Sequence, residues 1–346
     1  MFSTLRRLMF LLAFMVSVSP GDDVTAKNAA PGIADLRYGV RAILWRDPSD
    51  IPSLNLLYGA GSEDRQPRGT FTFVEEDMNG SNPKFDVRDK DGVKWKVKLG
   101  AEARPEVAAT RLVWAAGYFT QEDYFVEDLH VEGLPHHLHR GQNLIGPDGI
   151  VHNVRLKRSM KGEEKLGAWH WNSNPFVGTR ELNGLRVLMA LINNWDLKDS
   201  NNALYLEKHP KDKSVTVEET YLVSDLGASF GPTGFKLSTE ASRGNLEAYK
   251  RSKFIGNRTA DAVDFEAPGR PPLIETFNPP VYVRRNDLRS IGKHIPRADA
   301  KWMGEVLGRL SPEQIRDAFR AAGYSAQEAD EFATVVQGRI AELNAL

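Results

Sequence analysis

The chain has 346 residues, enough to bury a large core in one two-lobed domain or two close-packed ones. Its 45 basic and 46 acidic side chains nearly cancel and form no long run of either sign, so neither a nucleic-acid footprint nor a polybasic membrane patch is evident and any anionic ligand must be bound by a local site. It has no cysteine, which removes disulfides, thiolate nucleophiles, cysteine zinc sites and lipoprotein anchoring together.

The N-terminus places Arg6 and Arg7 before an apolar stretch over residues 8–18. That stretch is too short for a membrane span, which needs roughly 20 apolar residues, and it reads as a secretory leader ending near Ala26. We expect an exported protein, periplasmic or extracellular, with no membrane span once residues 1–26 are removed. An uncleaved anchor is the alternative. Export without cysteine suits a bacterial envelope protein. Residues 27–70 are broken by Pro31, Pro48, Pro52 and Gly59 to Gly61, and read as an extension packed on the first lobe, with a short strand near residues 40–45.

From Phe71 the pattern becomes that of a sheet. Strands are predicted at 71–74, 84–88 and 93–99, the last alternating Val93, Trp95, Val97 and Leu99 with Lys94, Lys96 and Lys98. Lys90, Asp91 and Gly92 supply the hairpin between the second and third. Residues 77–83 form a loop with one glycine, Gly80. A helix over 104–117, opened by Pro105, puts Glu106, Ala109 and Val113 on one face, and strands follow at 124–131 and 151–157.

The second half begins with an irregular polar crossing over 158–175. Leu182, Leu185, Leu188, Met189 and Ile192 then recur at helical spacing and lead into Asp196. Short strands are predicted at 203–206 and 221–223, then a long Gly- and Pro-rich segment over 227–280 with one helix near Leu246. Ser311 with Gln314, and Ser325 with Glu328, form two helix-opening capping boxes, and Gly323 ends the first of these helices.

Residues 196–201 read DLKDSN, and Asp225 of SDLG follows Asn201 by 24 positions across the predicted hairpin. This pairing resembles the catalytic and metal-binding loops of protein-kinase-like phosphotransferases. Asn194 and Trp195 stand where an ordinary kinase has His and Arg, and Leu226 follows Asp225 in place of Phe. The resemblance, which spans roughly residues 71–231, is therefore to an atypical branch such as the spore-coat and secreted kinases. It implies an α+β, two-lobed kinase-like fold with a β-rich small lobe over 71–158 and a mainly helical large lobe over 159–346.

The resemblance also implies roles. Asp196 would orient or deprotonate an acceptor hydroxyl, Lys198 would steady the transferred phosphoryl charge, Asn201 would hold one Mg2+ or Mn2+, and Asp225 would bridge the metal to the ATP phosphates. Asn202 replaces Asn201 if the register slips by one. Lys98, at the end of WKVK, is the candidate ATP-anchoring lysine with Glu106 as its partner. Lys96 is the runner-up, and Glu102 is the less suited acid because it precedes the helix. The competing reading of these lysines is a solvated stripe. The acceptor is open among protein, glycan, lipid and small molecule. AMP transfer and a catalytically inactive pseudokinase acting as a binding or scaffold module are the alternatives, beside an envelope protein of unrelated fold. His136, His137 and His139 read as a polar loop in preference to a metal site, and His170 as a packed histidine. No GxSxG or HExxH string supports a hydrolase of those kinds.

Overall fold

The computed structural model describes residues 31–35, 40–80, 82–159, 164–207, 217–232, 243–266 and 290–346. The expected leader lies outside the described residues, as do two parts of the 227–280 segment.

The chain opens with two strands, β1 (Ile33–Asp35) and β2 (Val40–Ile43). The small lobe follows as β3 (Phe71–Glu76), β4 (Lys84–Arg88), β5 (Lys94–Lys98), helix α1 (Ala103–Ala115), β6 (Phe119–Thr120), β7 (Asp123–Leu129), β8 (Val131–Glu132) and β9 (Val151–Arg158). Six of these strands form one sheet in the order β7-β9-β5-β4-β3-β8. Alternation dictates its faces: Phe85, Val87, Trp95, Val97, Val154 and Leu156 share a buried cluster, while the lysines of β5 point to the other side. The β4–β5 turn closes because the Asp89 carboxylate accepts from the backbone N–H groups of Asp91 and Val93.

The large lobe contains β10 (Glu164–Gly167), α2 (Arg180–Leu191), β11 (Asn202–Glu207) and β12 (Val217–Val223). The Thr179 side chain caps α2 by accepting from Leu182 N–H. Three further helices, Arg297–Leu307, Pro312–Arg320 and Ala326–Asn344, complete it, and the second and third open with the two predicted capping boxes. Phe319 and Phe332 stack at 4.7 Å beneath the edge of Phe230, which ties these helices to the SDLG segment. The chain is thus α+β and two-lobed, with a β-rich small lobe and a mainly helical large lobe, and α1 packs against β7 and β9 on one side and Pro312–Arg320 on the other.

Three local expectations are corrected. Residues 27–70 do not sit on the first lobe alone: β2 pairs in parallel with β12, so β1 and β2 extend the large-lobe sheet β1-β2-β12-β11-β10. The Gln314 side chain donates to the carbonyls of Ile51 and Leu54, fixing the same segment to the C-terminal helices. The 158–175 crossing contains β10, which pairs with β11. The 227–280 segment holds the predicted short helix (Leu246–Lys250) but also a hairpin, β13 (Ile255–Arg258) with β14 (Ala262–Phe265), which β15 (Ile295–Pro296) joins. Among the described residues no helix is long and apolar enough to cross a membrane.

Candidate active site

The lysine face of β5 is divided by what crosses it. Lys94 and Lys96 pair with Asp86 at 2.7 and 2.9 Å, and Lys96 also meets Asp77 at 2.5 Å. Lys98 differs, because carboxylates from α1, from the residue before it and from the SDLG segment converge on its amine, and it is 5% exposed. Its Nζ lies 2.8 Å from Glu106 Oε2, 2.6 Å from Asp225 Oδ1 and 3.2 Å from Glu102 Oε2. The solvated-stripe reading therefore fails at Lys98, and Lys96 is already engaged by two acids.

Glu102, farther from Lys98 than Glu106 is, also reaches it. It precedes α1, yet as the N-cap residue in a helical conformation it turns its carboxylate onto Lys98, accepts from Asn82 Nδ2 at 2.6 Å and meets Arg243 Nε at 2.8 Å. Gly227 permits this close approach, since a Cβ there would lie 2.6 Å from Glu102 Cβ. Arg243 also stacks over Trp195, so the segment following SDLG returns to the cleft.

A second cation stands beside the first. The β5–β9 register sets Arg155 opposite Lys98, and Arg155 is 3.0 Å from Glu106 Oε1 and 3.5 Å from Asp123 Oδ1. Burial works against the Lys98 charge, but Glu106, Asp225 and Glu102 outweigh it and raise its pKa. Burial likewise opposes the Glu106 carboxylate, which Arg155 and Lys98 nevertheless hold below its ordinary range. Asp123 goes the other way: burial pushes it up to about 6 despite Arg155. Arg155 and Asp123 were not anticipated. The available signal was the alternation of Arg155 and Lys157 with buried Val154 and Leu156, which puts charge on the cleft face of a central strand.

The DLKDSN loop is anchored from behind. Asn193, at φ +52°, donates from its amide to Gly231 O and Ser252 Oγ and accepts from Arg339. Asn194 Oδ1 accepts from Asp196 N at 2.9 Å. Within the loop Asn201 Nδ2 donates to Asp196 O at 2.6 Å and to Asp196 Oδ2 at 3.2 Å, and Lys198 Nζ lies 2.9 Å from Asp196 Oδ2. Asp196 Oδ1 is buried with no hydrogen-bond partner among the described residues. Asn202 is turned away, its amide donating to Trp169 O, so it is no substitute for Asn201. Asp199 accepts from Trp171 N and faces His170 Nδ1 at 2.8 Å, and His170 is exposed, contrary to the packed reading.

The two loops are spliced at Ser224, whose N–H and Oγ both donate to Asn201 O at 3.1 and 2.6 Å. This brings Asp225 beside the Asp196 loop. Asp225 adopts φ +56°, a left-handed conformation sparsely used by non-glycine residues and found at sites where surrounding structure enforces it. Burial opposes its charge, yet Lys98, then Arg155 and Lys198, hold its carboxyl below the ordinary value.

The 77–83 loop is held by side chains. Asp77 Oδ1 accepts from Asn79 N and Nδ2, and Arg140 donates to the carbonyls of Gly80 and Asp77. Gly80 has φ +69°. His139 Nδ1 lies 3.0 Å from Glu76, and among the described residues no three His, Cys, Asp or Glu side chains could hold a metal by themselves.

A nucleoside triphosphate with Mg2+ or Mn2+ fits these groups. Asp225 and the Asn201 side-chain oxygen are hard oxygen donors, and Mg2+ is commonly held by one or two protein groups with phosphates completing its shell. Lys98 is fixed beside Asp225, and the unpartnered Asp196 Oδ1 is ready to accept a proton donor.

No family model and no curated protein matches the chain. Among solved structures it is similar to a Helicobacter pylori proinflammatory kinase, CtkA, at 12% identity, covering 81% of this chain and 98% of that one with a TM-score of 0.43. It is also similar to the Golgi casein kinase, at 10% identity over 87% of this chain and 76% of that one with a TM-score of 0.37. The same kinase with Mn/ADP bound gives 11% identity, 87% and 76% coverage and a TM-score of 0.35.

Proposed function

We propose that the chain is an exported, atypical kinase-like phosphotransferase that uses metal-ATP. The observation that carries this reading is Lys98, whose amine meets Glu106 from α1 and Asp225 from SDLG while Ser224 joins SDLG to the Asp196–Asn201 loop. A scaffold has no need of Lys98, Glu106, Asp196, Asn201 and Asp225 together.

In this reading Lys98 holds the inner phosphates and Glu106 fixes its amine. Asp225 and Asn201 hold the metal, and Asp196 receives the proton of the acceptor hydroxyl through Oδ1, with Lys198 steadying charge at the adjacent oxygen. Metal-ATP, when bound, supplies the activated phosphoryl group and the cation that neutralises its charge. Transfer of AMP is the mechanistic variant, because the same residues serve a nucleotide bound in the opposite sense. A binding-only pseudokinase is the second reading, favoured by Glu102, a third carboxylate on Lys98 where phosphate would approach.

Calorimetry with ATP and Mg2+ or Mn2+, then mass spectrometry for added phosphate or AMP across protein, glycan, lipid and small-molecule acceptors, tests the reading. Binding with transfer supports it, binding with no transfer to any acceptor supports the pseudokinase, and no binding with either metal removes the enzyme reading. Export is tested by N-terminal sequencing of the native protein, where residues 1–20 intact in cytoplasmic material would overturn it.

A further inference from the structure

Lys84 is the first residue of β4 and the cross-strand partner of Lys98, directly behind the 77–83 loop. The acids near this face are largely engaged elsewhere. Asp86 serves Lys94 and Lys96, and Asp77 Oδ2 already takes Lys96 at 2.5 Å. Lys84 reaches that same oxygen only at 3.9 Å, which among the described residues is its single ion pair. Its side chain is 21% exposed, so the amine is partly withdrawn from water without a close anion. Such a cation is costly unless something else neutralises it.

The loop passes close to that amine: a Cβ on Gly80 would lie 3.4 Å from Lys84 Nζ, ordinary van der Waals contact, so the Gly80 backbone sits directly over the Lys84 side chain. The loop cannot cradle phosphate by repeated glycine N–H groups, since Gly80 is its one glycine and Asn79 N–H is taken by Asp77. Loop stability does not require Lys84, because Lys96, Asn79 and Arg140 already hold it. Burial lowers the Lys84 pKa, Lys96 and Lys98 push the same way, and Asp77 and Asp225 oppose them, so the amine feels both ends of the cleft.

We propose that Lys84 is a second phosphate-binding lysine, meeting the outer phosphates of a nucleoside triphosphate beneath the loop while Lys98 meets the inner ones. The site thereby prefers a polyphosphate to a monophosphate. This rests on the kinase-like reading and gives the outer phosphates a side-chain cation at a loop that has a single glycine.

The test is calorimetry on the full chain with Mg-ATP and with inorganic tripolyphosphate, and AMP by displacement, for wild type, Lys84→Met, Lys84→Gln, Lys84→Arg and the control Lys94→Met. Losing one charge-assisted contact should weaken ATP and tripolyphosphate binding by about tenfold or more in Lys84→Met and Lys84→Gln. AMP binding should be little changed, Lys84→Arg should retain most of the affinity, and Lys94→Met should match wild type. Melting of the apo variants identifies the folded one of the Met and Gln pair. ATP affinity within about twofold of wild type, or equal losses for ATP and AMP, overturns the proposal and leaves the kinase reading standing. A wild type that binds neither ATP nor tripolyphosphate overturns both.

Discussion

Around Glu106 the charges are buried and matched: Lys98, Glu106, Asp123 and Arg155 are each at most 5% exposed and each lies within ion-pair distance of another. Around Asp196 they are more exposed and only partly matched, although Lys198 pairs with its Oδ2. Its Oδ1 is buried without a partner, Lys198 stands half in water, and Asp225 sits at a left-handed φ with 41% of its side chain exposed. The first region resembles a fixture, in which any loss leaves a buried charge uncompensated. The second keeps acceptor atoms available, which costs stability in a folded protein and is tolerated at sites that receive a ligand. Substitutions on the two sides should therefore separate folding from chemistry.

The largest effect should come from Asp225→Asn, which removes the metal-facing charge while tolerating the backbone conformation better than alanine would. Metal-dependent ATP binding and transfer should both vanish, whereas melting should stay near wild type because Glu102 and Glu106 still hold Lys98. Calorimetry with and without metal, beside a thermal melt, checks this. Collapse of the fold would place Asp225 in the fixture.

Glu106→Leu should act first on the fold. It strips one buried partner from both Lys98 and Arg155, and unfolding by urea should show a loss of about 3–5 kcal/mol. A loss under about 1 kcal/mol would show that solvent or Glu102 compensates the cluster readily.

Asp196→Ala comes next. Transfer should fall by roughly 100-fold or more while Mg-ATP binding and the melting temperature hold, the usual scale for a positioned base. Equal damage to binding and transfer would argue that Asp196 serves the metal and not the acceptor.

The smallest effect is in pH. Asp123 is pushed from 3.8 up to about 6 by burial, against Arg155 and together with Glu106. Between those values the folded state holds more protons than the unfolded chain, so this group makes stability fall as pH rises through the window. Glu106, held below its ordinary 4.5 against burial, gives the opposite slope under that value, so the decline is cleanest from about pH 4.5 to 6. Urea midpoints across this range should decline in wild type and flatten in Asp123→Asn. A wild-type midpoint that rises there would contradict the assignment.

Much of this was readable in the chain itself, because the relevant signals are local. The β4–β5 hairpin follows from alternation and Asp89 to Gly92, and the C-terminal helices from Ser311 with Gln314 and Ser325 with Glu328. The step from Lys98 to Glu106 is a strand end followed by a helix start, and DLKDSN with SDLG stands in the sequence as a string. The helix Arg297–Leu307 was equally readable from Ala300, Met303 and Leu307 at helical spacing, yet it was not anticipated.

Tertiary structure decided the rest. Lys96 and Lys98 share one parity on β5, so alternation cannot choose between them; the arrival of Glu106 from α1 and Asp225 from SDLG does. Arg155 and Lys84 flank Lys98 only through the registers of β9 and β4, and β2 finds β12 across more than half the chain. Alternation and capping depend on neighbours a few residues away, whereas ion pairing depends on which strands and helices are brought together. The sequence by itself therefore determined which charged residues were available to a site, and packing of distant segments determined which of them were buried, paired or left open.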